Sequence, residues 1–133
     1  MNTPLFIAGL LALVAAAVHG VAGELLVLRR LWQGPLPSTR FGGTGMTRSM
    51  VHVTWHITSF AFLAAGVGMI VSATALDGDA ADALAWFTAA VFTGYAAVAV
   101  GLGAAKQRPR AMLQHPGPAV LGLTAALAWW GAL

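Results

Sequence analysis

Residues 50–76 read MVHVTWHITSFAFLAAGVGMIVSATAL, and this stretch decides the fold. It holds no Lys, Arg, Asp or Glu, and its only ionisable side chains are His52 and His56 near its start. As a helix it would extend about 40 Å at about 1.5 Å per residue, more than the hydrocarbon core of a bilayer at about 30 Å. A helix apolar on every side belongs in a large protein core or in lipid. A chain of 133 residues has no such core to offer.

Three further runs of the same kind flank it. Pro4–Leu28 is interrupted among ionisable groups only by His19 and Glu24, 80–105 carries Asp82 just inside its start, and His115–Leu133 is just long enough to span. The whole chain agrees. Apolar residues make up 59% of it and charged residues 8%, against about 25% charged in an ordinary soluble domain. That balance excludes a soluble enzyme and a disordered tail, and the lack of Cys excludes a disulfide scaffold. The expected fold is all-α: a polytopic membrane protein, one domain over 1–133, built as an antiparallel bundle of four transmembrane helices at about 4–28, 50–76, 80–105 and 115–133. The amino-terminal run lacks a basic leader, so it reads as a retained helix.

Every cation lies in two connections. Arg29, Arg30, Arg40 and Arg48 follow the first run, and Lys106, Arg108 and Arg110 follow the third, while Asp77, Asp79 and Asp82 lie in or beside the second connection. The positive-inside rule then predicts both termini outside the cytoplasm of a bacterial inner membrane. The basic residues are a topology signal, and nucleic acid is not an expected partner. Trp32, Trp129 and Trp130 suit interfacial belts, and Pro116 and Pro118 suit a first helical turn. The Asp77-Gly78-Asp79 turn predicts antiparallel neighbours, and the 29–49 connection, with Gly42-Gly43-Thr44-Gly45, reads as a flexible loop without the Gly-Lys ending of a phosphate site. Small residues form two stripes suited to close helix contact: Thr54, Thr58, Ala61, Ala65, Gly68 and Ser72 on the second run, and Ala90, Gly94, Ala97, Gly101 and Ala104 on the third.

Ionisable groups within a membrane are costly and mark candidate functional positions. Here they are His19, Glu24, His52 and His56, with His115 at the boundary. Counted from the basic boundaries, Glu24 lies about 7–8 Å deep, His19 about 15 Å, His52 about 6 Å and His56 about 12 Å. All fall in the cytoplasmic half. His52 and His56 are four apart and share a helix face, the spacing at which two imidazoles chelate one ion. His19 offers a third nitrogen, and Glu24 an oxygen that either binds the ion or orients an imidazole. His19 and Glu24, however, are five apart, about 140° around an ideal α-helix, so both face one centre only if the helix departs from that geometry.

Haem b is the competing cofactor, held by His19 and His56 (or His52) from two helices at similar depth. Met46, Met50 and Met112 would suit soft Cu(I) but are also ordinary apolar filler. Each polar group has a plain structural role as well: a neutral imidazole on a carbonyl or hydroxyl, and Glu24 paired with Arg29 or Arg30. No Ser, His and Asp set at one depth supports acyl transfer, so no catalytic residue is expected.

The string Val18-His19-Gly20-Val21-Ala22-Gly23-Glu24, followed by Trp55-His56-Ile57-Thr58-Ser59, resembles a pattern in small four-helix bacterial membrane proteins of uncharacterised function. The matching residues are His19, Gly23, Glu24, Trp55, His56 and Ser59, all in the first half of the chain. The resemblance implies that these six act together, and it brings no reaction, ligand or partner with it. Three functions follow as expectations. The first is a transition-metal or haem protein for redox, metal handling or sensing, with ligands His56, His19 and His52 and with Glu24. The second is a cofactor-free accessory or assembly subunit, or a homo-oligomer, docking through the small-residue stripes. The third is a proton path through His19 and Glu24.

Overall fold

The computed structural model describes residues 1–106 and 115–133. These are helical with no strand among them: α1 is Thr3–Leu31, α2 Gly43–Thr74, α3 Gly78–Lys106 and α4 Pro116–Ala132. The first three are long and apolar enough to cross a membrane. With 17 residues, α4 extends only about 25 Å, so the span expected at 115–133 falls short of that criterion. Its start is sharply defined. Pro116 and Pro118 occupy the first turn, and the His115 ring caps it, Nδ1 accepting the Gly117 N–H at 3.1 Å. The role of His115 is therefore to start a helix. Arg108, Arg110, Met112 and most of the 106–114 connection lie outside the described residues.

Two compact units divide the chain, one made of Met1–Leu13 with Ala64–Leu133 and the other of Val14–Leu63. In the first, Asn2 secures the start of α1. Its Oδ1 accepts the Leu5 N–H at 3.2 Å, its backbone N–H donates to the Ala73 carbonyl at 3.0 Å, and its amide donates to the Gly131 carbonyl. Gly9 lies directly against Ile70 and the Gly66 carbonyl, the close backbone approach that small residues permit. The α2–α3 hairpin forms as expected, and the buried Ser72 hydroxyl closes it by donating to the Ala81 carbonyl at 2.7 Å. Against α4, α3 sets the Trp86 and Trp129 rings edge to face at 4.9 Å, while the Trp129 indole donates to Thr93 at 2.8 Å.

The α3 stripe departs from expectation. Its buried line is Ala85, Thr88, Ala89 and Phe92, whereas Ala90, Gly94, Ala97, Gly101 and Ala104 are exposed and nothing lies within 4 Å of a Cβ built on Gly94 or Gly101. Small residues permit close approach but do not choose the neighbour, and here the bulk of Phe92 directs the helix onto its other face.

In the second unit α2 starts at Gly43, about two turns earlier than hydropathy suggests, because a helix continues past the point where its side chains stop being apolar. Gly42 and Gly43, at φ of 140° and 65°, make the entry turn in backbone that other residues rarely adopt, so this glycine tract is a turn and first helical coil. Thr47 donates to the Pro37 carbonyl at 2.7 Å, and Arg48 donates to the Trp32 carbonyl at 3.3 Å with its guanidinium 5.6 Å from the Trp32 ring. The connection is thus stitched to the start of α2.

Candidate metal centre

The site arises from an irregularity in α1. Val18–Ala22 and Glu24–Leu28 are π-helical, with hydrogen bonds reaching five residues back. A π turn holds about 4.4 residues, so residues five apart differ by about 50° where an α-helix would separate them by about 140°. This removes the geometric objection to His19 and Glu24 addressing the same neighbour. Both meet the face of α2 that carries the imidazoles.

On that face the Glu24 carboxylate receives two rings at one oxygen. His52 Nε2 lies 3.1 Å and His56 Nε2 3.4 Å from Glu24 Oε2. The i, i+4 spacing sets the imidazole rings 4.9 Å apart at 71°. Donor atoms of the three residues all lie within 4.8 Å of one another. Ligands at about 2.1 Å in a tetrahedral arrangement stand about 3.4 Å apart, so an ion fits with small side-chain movements. The proton on each Nε2 would move to Nδ1 as the lone pair turns to the ion. The side chains are 26% (Glu24), 48% (His52) and 45% (His56) exposed, which leaves any further coordination position open to a small exchangeable ligand. The plain structural alternative paired Glu24 with an arginine such as Arg29 or Arg30; among the described residues its carboxylate lies against His52 and His56.

His19 stands beside this group and outside it. Its ring stacks on Trp55 at 4.4 Å and 14° and meets Phe62 edge-on at 5.5 Å. Its Nδ1 lies 2.9 Å from Ser59 Oγ, and the Ser59 hydroxyl donates to the Trp55 carbonyl at 3.2 Å. With the hydroxyl proton so used, His19 donates through Nδ1–H. Gly23 makes the contact close: a Cβ there would meet the Trp55 ring at 2.6 Å. All six residues carrying the resemblance to four-helix bacterial proteins therefore touch within one unit, His19 with Trp55 and Ser59, Gly23 with Trp55, Glu24 with His56.

The packing of this unit also refines an expectation. In this unit α2 meets α1 through Trp55, Ser59 and Phe62, and Thr54 at the start of the small-residue stripe is exposed, while farther along the stripe Ala65 and Ser72 are buried as a packing face should be. Sequence reasoning missed the place of Trp32 here: its ring sits edge-on to His52 at 6.1 Å, with the Arg48 guanidinium 5.6 Å from it. It also missed the π turns; Gly20 and Gly23 within one helical turn were their visible signal. Comparison of the chain with known protein families, curated proteins and solved structures finds no match.

Proposed function

We propose that this chain is a membrane protein that binds a transition-metal ion through Glu24 Oε2, His52 Nε2 and His56 Nε2, for metal handling or sensing. The observation that carries the reading is the convergence of two imidazole nitrogens on one carboxylate oxygen, at 3.1 and 3.4 Å, within helices apolar enough to cross a membrane. Two nitrogens and an oxygen suit a borderline divalent ion such as Zn(II), Co(II), Ni(II) or Fe(II), and the absence of Cys argues against a soft thiolate site. The half-exposed ligands support an ion that exchanges over one locked into the fold. Haem is less favoured: the His19 ring is stacked on Trp55 and its Nδ1 is engaged by Ser59. In this reading the chain is a four-helix bundle in a bacterial inner membrane with both termini outside, and the arginines after α1 hold the metal centre toward the cytoplasm.

The test is elemental analysis and cobalt(II) titration of the full chain in mild detergent. Stoichiometric metal and a visible cobalt band, both lost in His56→Ala and in His52→Ala with helix content unchanged, are the expected result. A preparation with full helix content that takes up neither zinc(II) nor cobalt(II) ends the proposal.

One observation favours a second reading, an accessory subunit or homo-oligomer without a cofactor. It is the open α3 face of Ala90, Gly94, Ala97, Gly101 and Ala104, small residues of the kind that join membrane helices. Under that reading the chain co-purifies with other chains or with itself, Gly94→Leu breaks the association, and His56→Ala leaves it intact.

A further inference from the structure

In a regular α-helix the Gly23 N–H would bond the carbonyl of His19. Here it bonds the carbonyls of Val18 and Gly20 instead. The His19 carbonyl takes the indole N–H of Trp55 at 2.8 Å. An outside donor thus replaces a bond that the helix has given up, the circumstance in which a wide turn persists. Trp55 further stacks on the His19 ring and abuts Gly23, so it grips α1 at both ends of the segment that changes register. One residue beyond that segment is Glu24; one residue beyond Trp55 is His56.

We propose that Trp55 is the positioning residue of the metal centre: its indole N–H holds the wide turn of α1 open and so carries Glu24 around to His52 and His56. The proposal rests on the reading of those three residues as ligands. Without the Trp55 bond the Gly23 N–H recovers its α-helical partner, the turn tightens, and Glu24 rotates away from the imidazoles by several tens of degrees. Residues that orient a ligand without touching the ion typically change affinity about 10- to 100-fold.

The experiment uses the full chain in detergent with Trp55→Phe, which keeps an aromatic ring for His19 to stack on and removes only the donor. Cobalt(II) binding is measured by its visible band, beside Glu24→Gln and the double variant. The expected result is an affinity loss of about 10-fold or more, a changed band, and a double variant no weaker than Glu24→Gln alone, because both changes act through one carboxylate. Wild-type affinity and band in Trp55→Phe, or losses that multiply in the double variant, would overturn the proposal. A second measurement uses metal-free protein: the carboxylate infrared band of Glu24, assigned by its absence in Glu24→Gln, shifts in Trp55→Phe. If wild-type chain binds no cobalt(II) while that band still shifts, the ligand reading falls and the positioning role stands. An unmoved band sinks the positioning role whatever the metal does.

Discussion

Replacing Gly23 by Ala tests the contact on which the second unit is built. The added Cβ would stand 2.6 Å from Trp55 Cζ2, 2.7 Å from Nε1 and 2.9 Å from Cε2, against an ordinary carbon contact of about 3.5–4.0 Å. The indole must retreat by about 1 Å, which breaks its bond to the His19 carbonyl. Losing that hydrogen bond costs about 0.5–1.5 kcal/mol, and overpacking a close contact costs about 1–3 kcal/mol. Alanine returns about 0.5–1 kcal/mol through its better helix propensity. The net is a destabilisation of about 2 kcal/mol. Gly101→Ala is the control, since nothing lies within 4 Å of a Cβ there; it should be neutral or slightly stabilising. The assay is reversible unfolding in mixed micelles as the fraction of denaturing detergent rises, followed by far-ultraviolet circular dichroism. If Gly23→Ala unfolds at the same fraction as wild type, or later, the tight Gly23–Trp55 contact is not what orders this unit.

Other expectations separate the residues by role. His19→Ala should keep cobalt(II) binding at about 10- to 100-fold lower affinity, whereas His52→Ala or His56→Ala removes it; equal losses from all three would make His19 a ligand. Because the ion needs the lone pair of each Nε2, protons compete with it, so affinity should fall on acidification, and an isothermal titration series with no dependence on pH would mean the rings do not bind the ion. Ser72→Ala removes a buried donor to the Ala81 carbonyl and should cost about 1–2 kcal/mol in detergent unfolding while leaving cobalt(II) affinity as in wild type.

The helices were largely legible because a long run without charge has few structures open to it other than an apolar helix, so 50–76 announced α2 and the cation-rich stretches announced connections. Boundaries were less legible. The polar coil Gly43–Ser49 belongs to α2 for reasons of backbone hydrogen bonding, to which hydropathy is blind, whereas α4 starts at Pro116, within one residue of the expected boundary. The exposed stripe on α3 marks another limit. Composition states that a helix face can be approached closely, and only the three-dimensional arrangement says by what.

The candidate metal centre divides the same way. That His52 and His56 share a face follows from a period that any α-helix imposes, so their pairing could be read from spacing alone. Glu24 could be offered from its depth, but that it and His19 both meet the same face of α2 could not be read, because α-helical arithmetic turns the two about 140° apart. The arithmetic was sound and its premise was local: it assumed that the Gly23 N–H bonds the His19 carbonyl, and in the folded chain Trp55 takes that carbonyl. A single side chain 36 residues away thus changes the period of α1 between a neighbour of its own ring and a carboxylate it does not touch. Such a bond is long-range in sequence and leaves no periodic trace. Its only sequence correlates are residue types: glycines at 20 and 23 that let the backbone widen and the indole approach, and a tryptophan one position before an imidazole.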